Sequence, residues 1–497
     1  MLYNSLRSLT LERLFGLADN SFFFLTVIFV PVFGAFLLPL AGLLSEKLRN
    51  FLALIFVLAS FVFSASALSG ILSGHTLTYN INFPLGLNLS FVADPLAIFM
   101  AIVSSSIGAI IVLFSFDYIS HYDNRNEYYT MVVLFLGSMM GIIFSSNLIL
   151  LFIFWELTAI ASWRLIGFFR SRNDVLRADK ALLVTVFGAL VMLLAFIIIY
   201  SQTGTFDLLA LKQILQARPI SDLLVFMILF GILSKSATLP FHTWLPDAGV
   251  APSPVTALLH AAVLVKIGVY VFARLFIVTF PISALWHTVV PAIAAASVIV
   301  SAGAALIETD LKRLIAFSTV SQIGFIFLGL ASGSLVGITG GLLYILMHGL
   351  AKAGLFLCAG IVEQNTKTKD ITKLGGLLHT MPLTGFAFAF CAFSVMGVPP
   401  FGGFFSKYLV FRGAVENGQP LITAAFLFGA FLTIIYLFRV FNLVFLGEAR
   451  VPAKEKSRLM VYSVMTLALL SLAGGLFINY PSGVAASVVQ SMLGVVK

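Results

Sequence analysis

Residues 234–247 read Ser234-Lys235-Ser236-Ala237-Thr238-Leu239-Pro240-Phe241-His242-Thr243-Trp244-Leu245-Pro246-Asp247. Each proline lacks a backbone donor and clashes with the turn before it, so a helix arriving through Leu223–Leu233 cannot run straight through. A second stretch, Gly397-Val398-Pro399-Pro400-Phe401-Gly402-Gly403-Phe404-Phe405-Ser406-Lys407, repeats the device: a Pro/Gly break beside a lysine. Both breaks lie within apolar runs, and non-helical backbone at membrane depth is tolerated only where protein or water satisfies it. Two interrupted spans in corresponding places of two halves point to an inverted-repeat transporter with its ion path at the breaks. Simple proline kinks are the plainer alternative, and the lysine at each break argues against them.

Composition agrees with a membrane setting. Of 497 residues, 60% are AVILMFWYC and 10% are DEKR, against about 25% charged in a typical soluble protein. At roughly 20 apolar residues per crossing, the chain holds about fourteen spans, near 22–44, 51–71, 94–118, 130–146, 148–169, 180–201, 222–243, 254–276, 284–306, 313–331, 336–361, 383–411, 422–446 and 460–479. The expected fold is therefore an all-α integral membrane protein with two inverted five-helix repeats, helices seven and twelve being the broken ones. Segment 1–21 reads as an external N-terminal piece without a signal-peptide pattern. Residues 22–129 hold three helices and an external hairpin around Asn80-Ile81-Asn82 and Pro84-Leu85-Gly86, residues 130–276 and 277–446 form the two repeat units, and 447–497 hold the last span with little beyond Pro481.

Charge sets the orientation. Leaving out the termini, the odd-numbered loops carry sixteen Lys and Arg, and the even loops only Lys212, Arg218, Arg274 and Arg412. The positive-inside rule makes the odd loops cytoplasmic and puts both termini outside the cell (cytoplasmic or inner) membrane. The same rule explains the net charge of +9 without nucleic acid. Cys358 and Cys391 sit in apolar runs, so neither a disulfide framework nor a cysteine-ligated metal or iron–sulfur site is expected, and no cofactor. Any redox centre belongs to a partner.

Within the spans sit Glu156, Arg164, Lys235, Lys266, Lys352 and Lys407, with His260 and His348 beside them. A charge at a helix centre costs about 2.5–3.5 kcal/mol on insertion scales. Six of them need compensation, or they titrate. Snorkelling or a structural ion pair accounts for any single one near an interface. Glu156, in Phe154-Trp155-Glu156-Leu157-Thr158, has apolar flanks on both sides and reads as functional. Lysine can release its proton where its surroundings disfavour the charge, whereas arginine stays protonated. The membrane lysines, with carboxylate and imidazole neighbours, thus form a candidate proton relay. Arg164, eight residues and about 12 Å along the helix from Glu156, is too far for a direct pair. It either snorkels toward the basic loop or lines the access to Glu156.

The motifs now carry a resemblance. Trp155-Glu156-Leu157-Thr158, Lys235-Ser236-Ala237, Pro240-Phe241-His242-Thr243-Trp244-Leu245-Pro246-Asp247-Ala248, Ala251-Pro252-Ser253-Pro254-Val255, Leu259-His260-Ala261-Ala262, Thr309-Asp310-Leu311-Lys312-Arg313, Ser318-Thr319-Val320-Ser321-Gln322 and Gly397-Val398-Pro399-Pro400 with Lys407 resemble the antiporter-like subunits shared by complex I, membrane-bound hydrogenase-type complexes and Mrp-type cation/proton antiporters. The likeness covers roughly residues 90–450. It implies a fourteen-helix fold with a polar axis across the membrane midplane. By motif, Glu156 corresponds to the carboxylate of the first channel, Lys235 to its partner on the broken helix, Lys266 to the central connecting lysine and Lys407 to the outlet lysine. His348 corresponds to the central-axis histidine region. His242, His260, Lys352 and Arg164 are secondary candidates. Arg164 and Thr238 depart from the residues usual at their positions, an apolar residue and a glutamine.

The resemblance implies proton or sodium translocation by one subunit of a multisubunit membrane complex, in contact with other membrane subunits and lipid. The leading expectation is a redox-driven complex of the complex I or membrane-bound hydrogenase type with a peripheral redox arm. The alternative is an Mrp-type antiporter subunit without electron transfer, and a scaffold that has lost transport fits poorly with the retained Glu and Lys set.

Overall fold

The computed structural model describes residues 20–82, 88–216 and 219–495. The expected segment 1–21 and the hairpin turn Pro84-Leu85-Gly86 lie almost wholly outside them. Among the described residues, twelve helices are long and apolar enough to cross a membrane. They are α1 (Ser21–Leu44), α2 (Glu46–Leu72), α3 (Pro95–Tyr118), α4 (Arg125–Phe144), α5 (Leu148–Ile166), α6 (Arg172–Thr203), α8 (Ser253–Thr279), α9 (Trp286–Ile307), α10 (Leu311–Ala331), α11 (Leu335–Thr366), α14 (Pro420–Phe445) and α15 (Arg458–Leu476). Each falls on an expected span. The two expected spans outside this set are the interrupted ones: α7 (Asp222–Lys235) is followed by a short helix Trp244–Asp247, and α12 (Pro382–Met396) by α13 (Gly402–Glu416).

Both interruptions turn through a left-handed residue, Ala237 at φ 52° and Gly397 at φ 84°. The freed backbone groups find protein partners, as membrane depth demands. The Leu239 N–H donates to Ser297 Oγ at 3.0 Å, and Trp244 Nε1 to the Ser234 carbonyl at 3.0 Å. At the second break the Val395 carbonyl accepts from Lys407 Nζ at 2.7 Å. A third irregularity was not anticipated. Within α8, residues Leu258–Ala262 form a π-helical turn, and Val263 departs from helical geometry at φ −127°, ψ −77°.

The expected hairpin forms between β1 (Leu77–Asn82) and β2 (Asn88–Ala93), antiparallel with Leu77 opposite Ala93. Beyond the last span the sequence reading anticipated little. Instead α16 (Asn479–Met492) packs against α3 and α11. Its Pro481 falls in the first helical turn, where a missing N–H costs nothing. Arg274, taken as a loop charge, lies buried in the π-helical end of α8, where its guanidinium grips Asp94 at 2.5 and 2.8 Å.

The core centres on α11, which packs against α3, α8, α10, α12, α13, α15 and α16. Its apolar window is 94% buried, against 28% for α2 and 33% for α14, so α2 and α14 form the periphery. Close approach rests on small residues, as is usual between membrane helices. A Cβ on Gly413 of α13 would stand 2.3 Å from the Gly337 Cα of α11.

An internal duplication is visible in the backbone. Asn147 and Asp310 cap α5 and α10, and each forms an isolated bridge to an aspartate, Asp207 or Asp370. The helices between, α6 and α11, are each 32 residues long and end in a left-handed residue, Gly204 or Lys367. The threonine before that turn donates to the carbonyl two residues on, Thr203 to Thr205 and Thr366 to Thr368. Asn147 and Asp207 lie on the hairpin face, while Asp310 and Asp370 lie on the face of the basic loops, so the two units run in opposite senses.

Candidate functional site

The polar axis is built by helices that cannot hide their charges. Lys235, Lys266, His260, His348 and Lys352 are fully buried, and Lys407 is 3% exposed. The first station is on α5 and α7. Lys235 Nζ donates to the Trp155 carbonyl at 3.1 Å and lies 5.3 Å from the Trp155 ring centre. Glu156 is the next residue, half-buried, and its Oε1 has no hydrogen-bond partner. The carboxylate and the amine are thus neighbours across the Trp155 peptide rather than bonded to one another.

The centre is on α8 and α11. Lys266 Nζ and His348 Nδ1 are 2.8 Å apart, and His348 Nε2 is unpartnered. One turn along α11, Lys352 Nζ donates to Ser318 Oγ at 2.6 Å and to the Ile315 carbonyl at 3.2 Å. Ser318 also accepts from Tyr436 Oη at 2.7 Å. Tyr436 reaches Thr433 at 3.3 Å, Thr433 accepts from Gln322 Nε2 at 3.2 Å, and Gln322 Oε1 accepts from Tyr344 Oη at 2.5 Å. The Tyr344 ring sits 5.8 Å from that of His348 and 5.6 Å from Lys407 Nζ. Lys407 lies over Phe325 at 4.5 Å as well. A hydrogen-bonded set of hydroxyl and amide groups thus runs from Lys352 to Tyr344, whose ring lies near both His348 and Lys407. Tyr344, Gln322, Ser318, Thr433 and Tyr436 were not among the sequence candidates. Ser318 and Gln322 stand in a quoted motif, which was the one available signal.

The other candidates scatter around this axis. His260 stacks on Phe356 with ring centres 4.3 Å apart, and neither ring nitrogen has a partner. His242 lies half-buried in the first break with Nδ1 unpartnered. Arg164 is not brought to the axis: it pairs with Glu127, which also holds Arg170 at 2.5 Å. Its place in the last turn of α5 suits the negative end of the helix. On the same face Asp247 joins Lys180 of α6 and Arg313 of α10, each at 2.7 Å. Arg313 continues to Glu308 at 3.0 Å. Burial works to raise the Glu308 carboxyl, but the N–H groups of Asp310 and Thr309 together with Arg313 outweigh it and hold it below its ordinary range.

With this geometry in place, the comparisons with known proteins fall on the same residues. The family described as NADH:quinone oxidoreductase/Mrp antiporter, transmembrane, matches residues 145–433, which include the axis groups above except Tyr436. The chain belongs to that family. A second family, the N-terminus of NADH-ubiquinone oxidoreductase (complex I) chain 5, matches residues 81–129. Among curated relatives, Na(+)/H(+) antiporter subunit A1 of Staphylococcus haemolyticus is 33% identical over 485 residues, 90% of this chain and 60% of the relative. The same-named subunit of Staphylococcus saprophyticus is 32% identical over 93% of this chain and 61% of its own length. The chain therefore spans about 60% of the length of the curated relatives it matches. Among solved structures, a chain of the Mrp complex from Dietzia sp. superposes with a TM-score of 0.87 at 22% identity, covering 95% of this chain and 97% of that one. A chain of respiratory complex I from Thermus thermophilus gives 0.84, also at 22%, covering 95% and 99%. The archaeal membrane-bound sulfane sulfur reductase gives 0.85 over 94% and 97%. This Mrp/complex I fold is thus common to antiporter and respiratory assemblies.

Proposed function

We propose that the chain is a proton-translocating membrane subunit of a multisubunit Mrp-type cation/proton antiporter. Of the two readings the sequence left open, the redox-driven one is now the weaker. The fold does not separate them, since antiporter and respiratory chains superpose almost equally well, but relatives at 32–33% identity over 90% or more of the chain are named Na(+)/H(+) antiporter subunits. The observation that carries the transport reading is the state of the buried amines. Lys235, Lys266, Lys352 and Lys407 are each met by a carbonyl, a hydroxyl or an imidazole nitrogen rather than by a carboxylate. A permanently charged structural pair is built otherwise, as at Arg274 and Asp94.

In this reading Glu156 and Lys235 form the switch. Lys266 and His348 are the central station, Lys352 and the hydroxyl and amide groups around Ser318 extend it, and Lys407 is the outlet group. A charge favours the oppositely charged form of a close neighbour, so a change of the Glu156 charge drives the Lys235 proton onward. The basic loops face the cytoplasm and both termini lie outside. Residues 130–276 and 277–446 are the two repeat units, flanked by 22–129 and 447–497. Further membrane subunits complete the assembly and supply the cation path.

The test is to purify the chain with its native partners and reconstitute the complex in vesicles. A sodium pulse is expected to move protons in the opposite direction, with no redox subunit present. Co-purification with iron–sulfur proteins, and proton movement only on addition of an electron donor, would restore the redox-driven reading.

A further inference from the structure

The face of the basic loops carries a polar crevice outside the axis described above. Three adjoining cavities of about 620, 240 and 370 Å³ have Lys367 in common; the first two also share Tyr122 and Gln364, and the last two Glu363. The floor of the 240 Å³ one is Lys312, read from sequence as a loop charge but only 2% exposed. Its Nζ donates to the Ala251 carbonyl at 2.7 Å and to Glu363 at 3.2 Å. An ammonium in the first turn of α10 faces the positive end of the helix, so its position costs free energy.

Beneath the floor lies a narrow closure. Tyr118 Oη is 3.4 Å from Ser253 Oγ, and both residues are buried. Both pack on Gly360 of α11, where a Cβ would stand 2.5 Å from Ser253 Cβ and 3.1 Å from Tyr118 Cε2. Inward from there on α8, Thr256 Oγ1 donates to the Ser253 carbonyl at 2.8 Å, and His260 follows within the π-helical turn. On α11, His348, Lys352, Phe356 and Gly360 succeed one another at i+4, and Glu363 is three residues further. One helix face therefore connects the crevice to the central station over about 17 Å from Glu363 to Lys352. The unpartnered nitrogens of His260 lie along that face, over Phe356.

We propose that this crevice is the inlet through which protons reach the central axis, passing from Glu363 through the Tyr118–Ser253 hydroxyl pair and Thr256 to His260. A proton from a hydronium ion in the crevice binds the Glu363 carboxylate. Each hydroxyl then accepts one proton and gives up one, so the charge that arrives on the His260 ring is the one that left Glu363. The Glu156–Lys235 switch and this inlet act in series. The inference rests on the transport reading above, and the plainer role of Lys312 and Glu363 is a staple tying α10 and α11 to the Ala251 segment.

The experiment uses the reconstituted complex in vesicles that expose the basic face. Gln364→Cys places a thiol in the crevice wall, and the two native cysteines are fully buried, so a bulky impermeant thiol reagent marks the new one. Unlabelled, this variant is expected within about twofold of wild-type transport, and labelled at least fivefold below it. Tyr118→Phe is expected to lose about tenfold per assembled complex, and Glu363→Asp to retain far more transport than Glu363→Gln. A fully labelled Gln364→Cys complex at the unlabelled rate, or assembled Tyr118→Phe at the wild-type rate, overturns the inlet and leaves the transport reading standing. A wild-type complex that moves no protons overturns both.

Discussion

Lys235 and Lys407 solve the same problem, an amine with nowhere to put its charge, by the same means: each donates to a carbonyl beside a broken or functional helix turn. Neither is hydrogen-bonded to a carboxylate in the structure, as the proposed relay requires. Glu156→Ala and Lys235→Ala are each expected to lower proton transport about a hundredfold in normally assembled complexes. The double variant should be no worse than either single one, because members of one relay are not additive. Initial rates of fluorescence quenching in vesicles check this. At the outlet, Lys407→Glu should keep more transport than Lys407→Ala, since a carboxylate also holds and releases a proton; equal loss in both would count against a titrating role. Arg164 is the contrasting case. Tied to Glu127 and a third exposed, it is expected to act as an anchor, and Arg164→Leu should leave the pH profile of transport unshifted while costing about 1 kcal/mol of stability or less. An acid limb moved upward would instead put Arg164 in charge of the Glu156 carboxylate.

At the scale of elements, the breaks are where sequence spoke most plainly, because proline and glycine act locally and their consequences do not depend on tertiary packing. Ala237 nevertheless carries a left-handed φ of 52°, which costs a residue with a Cβ about 1–2 kcal/mol. Ala237→Gly is therefore expected to raise the thermal midpoint by a few degrees. Gly403→Ala should do the reverse, since a Cβ there would meet the Ser394 carbonyl oxygen at 1.8 Å and force α12 and α13 apart; overpacking of this kind costs about 1–3 kcal/mol. Thermal unfolding in detergent, followed by retention on a sizing column, measures both. The π-turn of α8 was illegible for a physical reason: no proline or glycine marks residues 258–263. Helix α16 was missed because a short, mildly apolar segment after the last span looks like a tail until a groove between α3 and α11 receives it.

At the scale of the whole molecule, the fold was legible because burying charge in a membrane is costly and every exception stands out. Glu156 and the four lysines were found that way. Tyr344, Gln322, Thr433 and Tyr436 were not, since hydroxyls and amides are common in membrane helices and only their convergence distinguishes them. Lys312 was misread in the opposite direction: its position in sequence suits a loop, and only the fold turns it inward. The duplicated pattern of Thr203, Thr205 and Asp207 against Thr366, Thr368 and Asp370 was present in the sequence throughout, but three polar residues repeated at long range carry little weight until the fold gives them matching turns and bridges. An axis that conducts protons, rather than one that is only a structural polar core, depends on Lys266 at its midpoint. The most direct test is therefore the rate of sodium-driven proton movement by reconstituted complexes carrying Lys266→Ala, normalised to assembled protein. The predicted result is a loss of at least about a hundredfold with assembly intact, and transport at the wild-type rate would contradict the account.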